Sequence, residues 1–249
     1  MKKQNIYYLL LTAFMVINLI ACESDESVTP NNPLNGRTTA VFNPDKKYGT
    51  MTDIDGNIYK TIVIGNQTWM AENLRVTHYQ NGDTIPNITD NEEWGDLTTG
   101  AYCNYSNTKN LDTIATYGRL YNWYAVADSR KLAPEGWRVP TIADWMELVE
   151  YLGGDTIASN ALKERGNTHW NNNFESADNS SGFTALPGGR RYLSNGYSGI
   201  GSYNVLWTAS EYDTEKAGFL YLYRYDSKVW KGINYKANGY SVRLIKETN

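Results

Sequence analysis

The residues best suited to chemistry in this 249-residue chain are aromatic rings interleaved with amides and carboxylates. Trp170, Asn171, Asn173 and Asp178 begin a stretch that continues through Tyr192, Tyr197 and Tyr203 to Glu211. Flat rings stack on sugar faces, and amide and carboxylate groups hydrogen-bond sugar hydroxyls. The same oxygens match calcium, a hard cation that takes about six to eight oxygen ligands. The stretch is therefore expected to bind a glycan or a surface protein, with calcium as the one cofactor its chemistry suggests. The competing reading is that the Asn/Gly-rich segment only turns while its aromatics pack, since one alternating face of any strand is core.

Catalysis finds less support. His78 and His169 are the only histidines, and neither sits in a metal-ligand or nucleophile motif. No carboxylate pair has a spacing that marks a catalytic site, so no catalytic residue is assigned. Asp53-Ile54-Asp55-Gly56-Asn57 resembles the start of a calcium loop, but the closing glutamate would fall at Ile64. The segment is read as a turn instead.

The elements that must position these residues follow from periodicity. Asp55-Gly56 and Gly65-Asn66 suit tight turns. The β-branched run Ile58 to Ile64 lies between them as a strand, and Gln67 to Met70 is the next. Leu120, Trp123, Tyr124 and Ala127 make one apolar helical face. A second helix is capped by Thr141 with Asp144 as its reciprocal partner, buries Trp145, Leu148, Val149 and Leu152, and stops at Gly153-Gly154. A shorter helix is predicted over 157–165. Strands follow at 206–209, 219–225, 228–235 and 240–245. Between helices and strands, 167–204 reads as a long loop, of the kind that is usually functional or mobile. Trp69, Trp123, Trp137, Trp145 and Trp207 are expected in the core. Arg138 and Arg243 are expected to pair with acids such as Glu72 or Asp144.

Composition supplies the core and narrows the partners. The chain carries 20 Tyr and 8 Trp and is 41% hydrophobic. It has no basic stripe, which argues against nucleic acid. From 23 to about 48 it is poor in apolar residues and rich in Pro, Asn, Ser and Thr. Residues 22–49 are thus expected to form a flexible tether, and 50–246 one domain. Besides Cys22 the chain has one cysteine, Cys103, so no disulfide is expected within the domain.

The first 21 residues look like a signal peptide: Lys2 and Lys3, then an apolar run from Ile6 to Ile20. The run is short for a membrane span, which needs about 20 apolar residues. It ends Leu19-Ile20-Ala21-Cys22, which resembles the lipobox of bacterial lipoproteins. That resemblance implies cleavage before Cys22, diacylglycerol on its sulfur, acylation of its new amino group, and a membrane partner through lipid alone. With Lys2 and Lys3 removed, 21 basic and 27 acidic residues would remain, a charge of −6. Glu23-Ser24-Asp25-Glu26-Ser27 is similar to the signal that sends lipoproteins of Bacteroidota to the outer face of the outer membrane. It reads equally well as the solvated start of a linker.

A wider resemblance covers most of the chain. Asp53-Ile-Asp-Gly-Asn-Ile-Tyr59, Ile64-Gly-Asn-Gln-Thr-Trp-Met-Ala-Glu-Asn-Leu74, Tyr117-Gly-Arg-Leu-Tyr-Asn-Trp123 and Gly136-Trp-Arg-Val-Pro-Thr141 occur in order. Gly182-Phe-Thr-Ala-Leu-Pro-Gly-Gly-Arg190, Trp207-Thr-Ala-Ser-Glu211 and Ser241-Val-Arg-Leu244 follow. The series resembles the Fibrobacter succinogenes major paralogous domain, whose members are exported and often lipidated. Gly136 to Trp145 is also similar to a motif of the sulfatase-modifying-factor family. The resemblance implies an α+β, C-type-lectin-like domain with two main helices and twisted antiparallel sheets. Formylglycine-generating chemistry needs a cysteine pair, and the domain has only Cys103. The expectation is a surface-exposed lipoprotein of the outer membrane with a non-catalytic binding domain. The alternatives are an adhesin or fimbrial assembly component, or a hydrolytic enzyme.

Overall fold

Two tight turns start the fold. The computed structural model describes residues 32–172, 177–193 and 196–248; the signal peptide, Cys22 and Asn173 lie outside them. Strands β1 (Gly49–Thr52) and β2 (Ile58–Ile64) pair antiparallel across the Asp53–Asn57 turn. The buried Asp53 carboxylate accepts bonds from the Asp55 and Asn57 amides and the Tyr59 hydroxyl, so its oxygens serve the turn. Burial pushes this carboxyl above the usual range despite those bonds. Gly65, at φ +61°, turns the chain into β3 (Gln67–Met70).

The middle of the chain supplies short elements. They are α1 (Asn91–Gly95), β4 (Tyr102–Cys103), α2 (Leu111–Tyr117), β5 (Leu120–Tyr121), α3 (Trp123–Val126) and β6 (Trp137–Arg138). The helix expected from Leu120 to Ala127 is corrected: only its second half is helical. Tyr121 exchanges backbone bonds with Tyr240, which holds it extended, and the Asn122 side chain caps a helix that can begin only at Trp123.

Helix α4 (Ile142–Tyr151) forms where its capping signal placed it, with Trp145, Leu148 and Val149 buried. The Asp144 carboxylate accepts from the Thr141 amide and hydroxyl and takes a two-pronged bond from Arg138 at 2.7 and 2.6 Å. Burial pushes the Asp144 carboxyl up, but Arg138 and Thr141 outweigh it and hold it at about 2. A carboxyl lowered on folding stabilises above its unfolded value and loses that contribution as pH falls through the folded one. Thermal melts should therefore lose no more than about 2 kcal/mol between pH 4 and 2 from this group, since the Arg138 side is solvent-screened. Asp144→Asn should lose stability at pH 7 and show a flatter acid limb; an unchanged acid limb would refute the assignment. Helix α5 (Ala158–Leu162) is shorter than the 157–165 expected, because Lys163 turns to an extended φ/ψ of −69° and 145°.

The last third forms β7 (Gly188–Tyr192), β8 (Gly196–Ile200), β9 (Tyr203–Glu211), β10 (Lys216–Tyr223), β11 (Val229–Tyr235) and β12 (Ile245–Lys246). The loop expected over 167–204 is thus partly a hairpin, β7–β8. Two five-stranded sheets result, ordered β1-β2-β3-β12-β6 and β11-β10-β9-β7-β8, beside a small β4-β5 pair. The architecture is α+β, and the sheets are antiparallel except for the β7–β9 pair. Helix α4 joins the sheets: Trp145 lies 4.5 Å from Trp69 and shares a core with Leu206, Leu220 and Leu222. Trp69, Trp123, Trp145 and Trp207 are buried as expected, whereas Trp137 is half-buried.

The flexible tether expected over 22–49 is corrected for its described part. Residues 32–48 form a strap along the domain. Asn32 bonds Asn57 and the Asp55 carbonyl, and Leu34 is buried with Ile114 and Ala115. Thr39 meets Thr116 and His169, the Val41 amide donates to buried Glu164, and Asn43 donates to the Asn179 carbonyl. Side-chain bonds replace the apolar pattern that the strap lacks.

Candidate functional site

Alternation along β9 and β10 builds the site. Trp207, Val205 and Tyr203 share one face of β9, and they pair across the sheet with Phe219, Tyr221 and Tyr223 of β10. Leu206, Leu220 and Leu222 take the opposite face, under α4. At one end of the aromatic face, Trp207 and Phe219 pack on Tyr240 at 4.3 and 5.4 Å. Toward the other end the face opens to water. Tyr203, Tyr221 and Tyr223 are half-buried, and Trp230 of β11 is 37% exposed.

These rings form one row across the strands. Trp230 lies parallel to Tyr221 at 5.9 Å, Tyr221 meets Tyr203 edge-on at 6.4 Å, and Tyr203 stacks on Tyr223 at 4.8 Å. Tyr225 continues it, edge-on to Tyr223 at 5.4 Å. On the β7 side, the Arg190 guanidinium lies 4.6 Å from the Tyr192 ring and 4.9 Å from the Tyr203 ring. Rings that stack on each other present edges and hydroxyls to solvent, and Trp230 ends the row with the Lys228 ammonium over its ring at 4.3 Å. Burial pushes the Tyr221 hydroxyl above its ordinary value, so it remains a donor at neutral pH. Buried Lys163 fixes the turn that carries Tyr225: its ammonium donates to the Tyr223 and Asp226 carbonyls at 2.6 and 2.5 Å. Burial pushes that ammonium down to about 8.

Two residues singled out from sequence, Tyr192 and Tyr203, join the row. The others go elsewhere. Trp170 is a correction: it is fully buried, donates to the Ala185 carbonyl at 3.0 Å and belongs to the core. Tyr197 packs on Tyr105 at 5.3 Å and donates to Asn107, beside buried Cys103. Asn171 is exposed, and its amide N–H donates to the Gly201 carbonyl. Asp178 borders a separate cleft with Phe42, Asp45 and Arg165. Glu211 is exposed at the far end of β9 and accepts from Lys236 at 2.5 Å. Asp178 and Glu211 therefore do not share one calcium site. Among the described residues no group of three or more His, Cys, Asp or Glu side chains could hold a metal ion.

Sequence reasoning missed Tyr221, Tyr223, Trp230 and Arg190. The signal was present in Phe219-Leu-Tyr-Leu-Tyr223, where aromatics and leucines alternate. The histidines hold structure. His78 bonds Asp55 at 2.6 Å, and His169 bridges Glu164 and Thr39. Arg243 is a further correction: it binds the Asn73 side chain and the Phe183 and Thr184 carbonyls rather than a carboxylate. Glu72 pairs with Arg75 instead, at 2.9 Å.

Comparison with known proteins gives one match. The model of the Fibrobacter succinogenes major domain matches residues 62–246, which include both halves of the aromatic row. No curated protein and no solved structure matches the chain.

Proposed function

Because the chain belongs to the Fibrobacter succinogenes major domain family, we propose that it is a cell-envelope lipoprotein whose domain binds glycans without catalysis. The observation that carries this reading is the row of Trp230, Tyr221, Tyr203 and Tyr223 on an open sheet face. Tyrosine edges offer hydroxyls to sugar hydroxyls, and an exposed indole offers a stacking surface. A row of rings that crosses several strands suits an extended polymer better than a small substrate. The C-type-lectin-like description of the fold belongs to this proposal; the mixture of helices and sheets supports it. So do the lipid anchor at Cys22 and a place on the outer membrane, supported by the lipobox-like Leu19 to Cys22 and the acidic residues after it.

A glycan array run on the mature protein, with and without calcium chelation, tests the reading. Trp230→Ala and Tyr221→Ala should each weaken binding by about 1 kcal/mol or more, roughly fivefold, as anchors do. Trp170→Ala should act through stability instead. Parent-like binding by the first two variants would remove the row from the site, and turnover of a bound glycan would overturn the non-catalytic reading.

A second reading has its own observation. Strand β11 is the edge of its sheet, and Ile233 and Tyr235 are each 43% exposed on it. An unpaired edge with apolar side chains suits strand addition by a partner protein. It favours an adhesin or fimbrial assembly role, and a chain that captures a β-strand peptide but no glycan would select it.

A further inference from the structure

We propose that the ligand of the aromatic row is an acidic glycan, and that Arg190 receives its oxyanion. This rests on the glycan reading above and adds its charge. The other arginines show what Arg190 lacks. Arg75, Arg130 and Arg138 bind carboxylates, and Arg191 and Arg243 bind backbone carbonyls. The Arg190 side chain forms no hydrogen bond or ion pair with any described residue; its Nε is buried with no partner, as in Arg75 and Arg191, but unlike theirs its terminal nitrogens bond no described residue either. An arginine left in that state beside half-buried rings holds donors for something outside the protein.

Its geometry fits an oxyanion. The guanidinium is positioned by two rings, Tyr192 at 4.6 Å and Tyr203 at 4.9 Å, so its fork is ordered before any ligand arrives. A planar fork matches a carboxylate or sulfate through two parallel bonds, which an ammonium cannot do. The hydroxyls of Tyr203, Tyr221 and Tyr223 likewise bond no described residue and stand along the same row as further donors. Charge at the other end agrees. The Lys228 ammonium lies 4.3 Å from the Trp230 ring, and the Arg224 guanidinium, which hydrogen-bonds no described residue, lies 4.2 Å from the Tyr225 ring. Two acids border this group: the Asp226 carboxylate is engaged by the Trp230 indole N–H at 2.8 Å and the Lys228 amide at 2.7 Å, and Asp155 lines a cleft with Lys228, Trp230 and Lys231. A protein of net charge −4 thus gathers cations along one face. A neutral glycan would leave the Arg190 fork unanswered; a sugar carboxylate or sulfate ester answers it.

The test uses the full mature chain in detergent micelles and three sets of oligosaccharides of matched length: neutral hexoses, uronates and sulfated hexoses. Uronate or sulfated oligomers should bind at least tenfold more tightly than neutral ones, and less tightly as salt rises. The two acidic arms tell carboxylate from sulfate. Arg190→Gln should bring acidic and neutral oligomers to within about twofold of each other, and Arg190→Lys should restore the preference in part. Tyr221→Ala should weaken all three classes alike. Melting curves check each variant's fold; if Arg190→Gln does not fold, Arg190→Lys carries the comparison. Equal binding of neutral and acidic oligomers, or an acidic preference that survives Arg190→Gln, overturns this inference and leaves the glycan reading intact. Failure to bind any of the three sets overturns both.

Discussion

Arg243→Leu should lower the melting temperature by on the order of 10 °C, the largest stability effect expected of any single side chain here. Arg243 is fully buried, and burial pushes its guanidinium down to about 9, so it remains charged at neutral pH. It donates to the Asn73 side chain at 2.9 Å, to the Thr184 carbonyl at 2.8 Å and to the Phe183 carbonyl, and it lies 4.2 Å from the Phe183 ring. Leucine would fill much of the volume and leave these acceptors unsatisfied, at about 1–3 kcal/mol for each group. The backbone beneath adds to the loss. Thr184 sits at φ +55°, which a β-branched residue rarely adopts, and it is held there by Asn179 and Arg243 together. Removing one holder lets that turn relax away from β9 and α5. Melting followed by circular dichroism decides the matter: a loss of under 3 °C would mean the node is dispensable.

Cys22→Ala should shift the protein wholly from the membrane pellet to the soluble fraction and end its labelling by palmitate. Among the described residues no helix is long and apolar enough to cross a membrane. Acyl chains supply about 0.8 kcal/mol per buried methylene, and more than one chain makes anchoring stable. Membrane retention equal to the parent's would overturn the lipid anchor.

What the sequence disclosed depended on how local the physics was. Helix α4 was legible because Thr141 and Asp144 lie three residues apart and satisfy each other. The first hairpins were legible because Asp55-Gly56 and Gly65-Asn66 carry their own turn chemistry. Tyr192 and Tyr203, singled out from the sequence, lie on the aromatic row, yet Trp170 was placed with them although it is core. Only the distant Ala185 carbonyl, which satisfies its indole, marks it as buried. Tyr221 and Trp230 were missed for the converse reason. An aromatic–leucine alternation gives two apolar faces, and the pairing of β10 with β9 and β11 decides which one meets water. The strap was missed because its bonds run from amides and hydroxyls to residues up to 136 positions away, with no periodicity to read. The family motifs fall on structural nodes as well. Asn73, Phe183, Thr184 and Arg243 come from three separate motif segments and meet in one buried cluster. Tyr221, Tyr223 and Trp230 lie between such segments. Arg190, by contrast, closes the segment that begins at Gly182.

The strap also sets how far the protein can reach. Twenty-five residues of loose chain would let the domain roam about 25–30 Å from its anchor on average. The chain is instead fastened from Asn32 onward, at the Asp53–Asn57 turn. Ten peptide units separate Asn32 from Cys22; a loose chain of that length would average only about 16–19 Å and could not exceed about 36 Å drawn straight. With lipid at Cys22, the hairpin end of the first sheet is moored close to the bilayer, and the mooring point is one fixed corner of a rigid body rather than a swivel at its edge. On the proposed reading, such a mooring favours polymers that lie against the cell over those that drift past.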